Sequence, residues 1–202
     1  SFDKALDTCL EINKLEEKIN NYKNENNSSI SLNDILNVIE AKSNVPMFLN
    51  KEEIIKKITT LLNDNIYGET NAIVKLINNL KYYFNNDKNL KILLVGPSGV
   101  GKTSSVKLIS KELKNNLIRL DMSEYNLETS VNKLIGVSQG YIGYDDEFIF
   151  NKIKYNPYSI ILVDEIEKAH PSVLNLFLQI MDEGFIHDSH GEKIDFSHTL
   201  IF

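Results

Sequence analysis

The stretch Ile92-Leu93-Leu94-Val95-Gly96-Pro97-Ser98-Gly99-Val100-Gly101-Lys102-Thr103 runs from four consecutive apolar residues into a complete G-x-x-x-x-G-K-T loop. The apolar run predicts a buried strand, and the pattern from Lys102 to Leu113 predicts the helix that follows it. Glycines in such a loop let backbone N–H groups turn inward around phosphate oxygens. The helix N-terminus adds roughly half a positive charge at the same point. Lys102 reaches toward β- and γ-phosphates, the Thr103 hydroxyl suits Mg²⁺, and Ser104 completes the cradle. A purely structural turn has no need of Lys-Thr at its end.

Outward from this loop, apolar strand patterns recur at residues 117–120, 160–163 and 198–202. Helical patterns lie between them at 127–135, 148–154 and 173–181. Apolar strands alternating with helices predict an α/β fold, a parallel sheet covered on both faces. Residues 185–195, centred on Asp188-Ser189-His190-Gly191, read as a hairpin or excursion before the last strand. Upstream the grammar is helical. Leu6, Leu10, Leu15 and Ile19 share a face, and residues 20–29 form a polar low-complexity linker. Ser31-Leu32-Asn33-Asp34 predicts a capped helix ending near Asn44, and Pro46 enforces a break. Asn50-Lys51-Glu52-Glu53 opens a helix carrying Ile54, Ile55, Ile58, Leu61 and Leu62. A third helix after Gly68 carries Ile73, Leu76, Ile77 and Leu80. The chain stops within an apolar strand, which reads as the edge of a fragment.

The 202 residues carry 22 Lys+Arg against 28 Asp+Glu, a formal charge of −6. That balance argues against a general nucleic-acid binder, so an anionic ligand must be held by a local field. No apolar run approaches the roughly 18 residues of a membrane span. The single cysteine, Cys9, excludes an intrachain disulfide framework and a cysteine zinc site. Twenty-five Asn against one arginine, Arg119, is what strongly AT-biased coding produces. It leaves guanidinium clamps on phosphate nearly unavailable within the chain.

The second chemical signal is Ile160-Ile161-Leu162-Val163-Asp164-Glu165. An apolar strand ending in two adjacent carboxylates is costly unless a cation or water network satisfies them. Asp164 is placed for a Mg²⁺ shell, and Glu165 to orient or deprotonate an attacking water. An acidic helix N-terminus is the plainer reading, and the phosphate loop upstream weighs against it. The two elements together specify binding of Mg-ATP, and Glu165 favours hydrolysis. A third signal, Gly140-Tyr141-Ile142-Gly143-Tyr144, is a loop presenting a large apolar side chain, equally readable as one whose tyrosine packs on its own domain. His187 and His190 flank Asp188 at a spacing open to a metal, but without a ligand cluster they read as a solvated loop. His170 before Pro171 shapes a helix boundary.

From residue 66 to 202 the chain resembles the second ATPase module of Clp-type AAA+ unfoldases, of the ClpA and ClpC kind. The agreement runs through the phosphate loop, Leu120-Asp121-Met122-Ser123-Glu124-Tyr125, Leu134-Ile135-Gly136, the Gly140 to Tyr144 loop and Pro157-Tyr158-Ser159. It continues through Asp164-Glu165-Ile166-Glu167-Lys168-Ala169-His170-Pro171, Leu178-Gln179-Ile180-Met181-Asp182 and Asp195-Phe196. The resemblance implies an AAA+ P-loop core with sheet order 5-1-4-3-2, truncated before the fifth strand and the helical lid. Residues 1–20 would close a preceding ATPase module, 21–30 would be the linker, and 31–202 the large α/β subdomain, incomplete at its C-terminus. By the same resemblance Tyr141 and Ile142 form a pore loop gripping unfolded polypeptide, and residues 188–193 a second channel-facing loop. Ile66 and Tyr67 would lie against adenine.

The implied cofactors are ATP and Mg²⁺. The implied partners are a homo- or hetero-hexamer of Clp ATPase subunits, unfolded protein substrates and a Clp peptidase, with neither nucleic acid nor membrane. Ser138-Gln139, Asp145-Asp146-Glu147-Phe148 and Phe185 depart from the family pattern. A nucleotide-holding regulatory subunit that does not hydrolyse is the first rival. An AAA+ DNA-remodelling protein is the second, and the basic stripe it would need is not visible. Composition and family together suggest a plastid or apicoplast-encoded ClpC-type protein, or else one from the cytoplasm of a bacterium or from another organelle.

Overall fold

The computed structural model describes residues 31–43, 51–68, 70–86, 89–144 and 146–202. The expected N-terminal helix, the linker, Cys9 and the break at Pro46 lie outside the described residues. The chain divides into two compact units, Ser1–Val38 and Ile39–Phe202. Helix α1 (Leu32–Ser43) starts in the first of them. Its start is a reciprocal cap: the Asp34 N–H donates to Ser31 Oγ at 3.2 Å, and the Ser31 N–H donates to Asp34 Oδ2 at 2.9 Å. An aspartate here fills the usual glutamate position of the capping box.

In the second unit α2 (Lys51–Asn65) and α3 (Thr70–Asn86) bury the apolar faces read from their spacing, with Ile55, Ile58 and Leu62 on one and Ile73, Leu76, Ile77 and Leu80 on the other. There follow β1 (Leu90–Lys91), α4 (Lys102–Leu113) and β2 (Leu117–Asp121). Two 3-10 turns (Met122–Tyr125 and Glu128–Val131) lead to α5 (Asn132–Ile135) and α6 (Asn151–Tyr155). Then come β3 (Ile160–Asp164), a 3-10 turn (Ile166–Lys168) and α7 (Pro171–Glu183). The chain closes through β4 (Phe185–His187), β5 (Lys193–Asp195) and β6 (Leu200–Ile201).

The main sheet is parallel in the order β1-β6-β3-β2, and β4 and β5 pair as an antiparallel hairpin. In terms of the four strand patterns this is 1-4-3-2, the expected order without its fifth strand. Side chains alternate across the sheet. Leu90, Ile160, Leu162, Leu200 and Phe202 join the core shared with α2, α3 and α4. Ile118, Leu120, Ile161 and Ile201 face the other way, onto Met122, Leu134, Phe150, Ile153, Val173, Phe177 and Ile180. Both faces of the sheet are covered.

Two expectations need correction. Residues 92–95 are not a paired strand. The Ile92 N–H donates to the Ile201 carbonyl at 2.8 Å, and among the described residues no sheet hydrogen bond follows it along residues 93–95. Leu93 and Val95 are 79% and 85% exposed. Likewise, the helices expected at 127–135 and 148–154 shorten to α5 and α6. The N–H groups of Ile149 and Phe150 donate to the carbonyls of Lys133 and Leu134, both at 3.1 Å, which commits that backbone to α5 rather than to a helix of its own.

Phe150 is fully buried, with its ring edge-on to Phe177 at 6.1 Å and to Phe196 at 5.2 Å. Phe150→Ala should cost about 3–5 kcal/mol in urea denaturation followed by circular dichroism, and Phe150→Leu clearly less. The hairpin tip gives a pH prediction. Burial pushes the Asp188 carboxyl up, but Lys154 at 2.7 Å and the N–H groups of Glu192 and His190 at 2.9 Å outweigh it and hold it below the usual range. A depressed carboxylate contributes stability above its unfolded value of about 3.9, which is lost as pH falls through its folded value. Asp188→Asn should therefore melt below wild type at pH 7, with the gap closing under about pH 4 in a thermal series.

Candidate functional site

Parallel pairing sets Asp121 opposite Asp164, so β2 and β3 end level with one another. The first turn of α4 reaches this same point: Thr103 Oγ1 donates to Asp164 Oδ2 at 3.3 Å. The two strongest sequence signals, sixty-one residues apart, thus meet side chain to side chain.

The loop before α4 turns through glycines with positive φ, Gly99 at 85° and Gly101 at 93°. Gly101 caps the helix without a side-chain hydrogen bond, leaving the first N–H groups of α4 to the loop's concave side. A Cβ on Gly101 would stand 2.8 Å from Ile66 Cδ1, so glycine is required there on two counts. Lys102 Nζ donates to the carbonyls of Gly96 and Pro97, both at 2.7 Å, folding the cation back over its own loop.

Beside the loop lies an open cavity of about 520 Å³, lined by Ile66, Ala72, Ile73 and Leu76 on one side and by Gly96, Pro97, Val100 and Gly101 on the other. It has one apolar wall and one backbone-rich wall, a common design for a nucleoside-sized ligand. Ile66, expected beside adenine, is buried against the loop and lines the cavity. Tyr67 is not placed there: it is 83% exposed and outside the cavity lining.

Glu165 follows Asp164 in the left-handed region, at φ 55° and ψ 51°. For a residue with a Cβ this costs about 1–2 kcal/mol, and it swings the side chain away from the line of the strand. Its Oε2 pairs with Lys168 Nζ at 2.6 Å, and this hydrogen bond is the main reason the Lys168 ammonium titrates above its ordinary value. Asp164 pairs with Arg119, whose Nη2 lies 3.1 Å from Oδ2. Asp121 is held low by the Ser123 hydroxyl and N–H, and more weakly by the charges of Arg119 and Lys168.

Reading the sequence missed Arg119 and Lys168 as members of this cluster. The alternation of β2 carries a signal for the first, since Arg119 shares a face with Asp121. The i, i+3 spacing from Glu165 carries one for the second.

The Gly140 to Tyr144 loop stands away from this cluster. Tyr141 is 72% exposed and Ile142 fully so, which removes the reading in which the tyrosine packs on its own domain. Tyr144 stacks on His190 with ring centroids 4.4 Å apart, and its carbonyl lies 3.1 Å from His190 Nε2. Among the described residues no group of three or more His, Cys, Asp or Glu side chains is arranged to hold a metal.

Comparison with known proteins places this geometry. Residues 87–202 match the family described as AAA domain (Cdc48 subfamily). The ATP-dependent Clp protease ATP-binding subunit ClpL of Staphylococcus aureus, in strains MRSA252 and USA300, is 40% identical over 214 residues. Each alignment takes in 99% of this chain and 30% of the relative, so the chain spans under a third of the length of these proteins. A closed-state cryoEM reconstruction of Hsp104 with ATPγS and FITC casein superposes with a TM-score of 0.71 at 32% identity, over 80% of this chain and 30% of that one. With more than half of its length matched, the chain belongs to the family of AAA domains (Cdc48 subfamily).

Proposed function

We propose that this chain is the nucleotide-binding core of a Clp-type protein unfoldase, which hydrolyses Mg-ATP to drive polypeptide through a hexameric channel. The observation that carries the reading is the 3.3 Å approach of Thr103 to Asp164, with Lys102 one residue away. The donor set fits a polyanion with its metal. An ammonium and a hydroxyl stand at the head of a helix whose first N–H groups are free of side-chain caps, next to a carboxylate.

Magnesium, when bound, neutralises charge developing on the transferred phosphoryl group. Lys102 leaves the Gly96 and Pro97 carbonyls to bind phosphate oxygens, and the loop N–H groups orient them. Thr103 and Asp164 hold the metal position. Glu165 accepts the proton of the attacking water at its carboxylate, from a kinked backbone that sets it apart from Asp164. Ile66 closes the cavity wall on which the base rests. Tyr141 and Ile142, apolar and projecting, grip the polypeptide.

Hexamer assembly, unfolded protein as substrate and delivery to a Clp peptidase belong to the same proposal, supported by the ClpL and Hsp104 likenesses. The Asn-rich, Arg-poor composition extends it to an AT-biased genome, a plastid or apicoplast one included.

Lys102→Ala should abolish binding of a fluorescent ATP analogue to the full-length protein. Glu165→Gln should keep that binding while phosphate release falls at least about a hundredfold. Tight ATP binding by the Lys102→Ala protein would overturn the assignment. Tyr141→Ala should preserve ATP hydrolysis and lose unfolding of a tagged fluorescent substrate; unimpaired unfolding would remove Tyr141 from the substrate path.

A further inference from the structure

Arg119 is the only arginine in the chain, and it sits in the middle of a strand. The register accounts for its direction. It pairs with Leu162, two residues before the Asp121 and Asp164 pair, so alternation puts it on the same sheet face as both aspartates. From there its Nη2 reaches Asp164 Oδ2 at 3.1 Å, the same oxygen that accepts from Thr103 at 3.3 Å. A guanidinium therefore sits against the oxygen on which the proposed metal position depends. An ordinary ion pair this exposed contributes little to stability, so stability alone gives no account of a lone arginine at this spot.

We propose that Arg119 competes with Mg²⁺ for Asp164 and so sets the metal requirement of nucleotide binding, an inference resting on the Mg-ATP reading above. Two cations cannot share Oδ2 at contact distance without strong mutual repulsion. Metal entry displaces the guanidinium. Asp121, already within the field of Arg119, is the carboxylate to which it turns. Arg119 is thus a positioning residue: it acts on the metal through Asp164 and holds that carboxylate toward Thr103.

The test is binding of a fluorescent ADP analogue to the full-length protein across a Mg²⁺ series. Arg119→Gln removes the competing charge and should lower the Mg²⁺ concentration for half-maximal binding by about threefold or more. Arg119→Met, equally uncharged, should do the same, and Arg119→Lys should stay within about twofold of wild type. An unchanged or raised Mg²⁺ requirement in both uncharged variants would overturn the competition. A wild-type protein that binds no nucleotide at any Mg²⁺ concentration would instead sink the ATPase reading, a result that cannot be confused with a shifted midpoint.

Discussion

The five-rung parallel ladder between β2 and β3 is the constraint on which the candidate site depends. Side chains in a strand alternate with a period of two, so slipping β3 by one residue would turn Asp164 into the apolar layer that holds Leu120 and Ile161. Ile160 and Leu162 would then face Met122 and Phe177 in place of α4. Both faces of the sheet pack against apolar clusters, which makes every such slip costly. Hydrogen bonds outside the ladder reinforce the register: the Ile160 N–H donates to the Asn116 carbonyl at 2.8 Å, and the Leu200 N–H to the Ser159 carbonyl at 3.1 Å. The position of one carboxylate is thus set by the packing of a whole core.

Around that carboxylate the side-chain charges are matched by one another and by the backbone. Lys102 rests on two carbonyls, Asp164 receives Thr103 and Arg119, and Glu165 pairs with Lys168. Each of these contacts is at least partly open to solvent, where an ion pair is worth little and is cheaply broken. The contrast is Lys154 with Asp188. There the carboxylate side chain is fully buried, and removing Lys154 strands that charge away from water. On the proposed reading the weak pairs lie where charges are reassigned on nucleotide binding, and the buried pair ties down the hairpin.

This division explains what could be read from the sequence. The phosphate loop, the acidic end of β3 and the helical faces of α2 and α3 are local patterns, and each survives folding unchanged. The strand at residues 92–95 is also a sound local pattern, but a strand needs a neighbour, and pairing with β6 ends at Ile92. Arg119 and Lys168 were opaque for a related reason. A lysine three residues beyond an acid, or an arginine within a strand, acquires a partner only once register and turn geometry are settled. Ile66 and Tyr67 were assigned together by the resemblance; a single backbone step beyond α2 sends one into the cavity wall and the other into water.

The same physics bears on how a projecting side chain can carry force. Gly140 and Gly143, at φ 93° and 92°, turn the chain sharply on either side of Tyr141 and Ile142 and leave both tips in solvent. The base of that loop is held firmly. Tyr144 stacks on His190, and the Ser189 N–H donates to the Ile135 carbonyl at 2.9 Å. Gly136 sits so close to Phe148 and Ser189 that a Cβ there would meet Ser189 Oγ at 2.5 Å. The hairpin tip is in turn fixed to α6 by Lys154, which pairs with Asp188 and with Glu192 at 2.5 Å. A pull on Tyr141 would, on the proposed reading, pass through Tyr144 and His190 into a tip tied down by a buried ion pair, and from there to β4, which follows directly from α7. On the proposed reading, an exposed aromatic on a rigid base transmits work to a polypeptide, whereas one on a loose base would dissipate it.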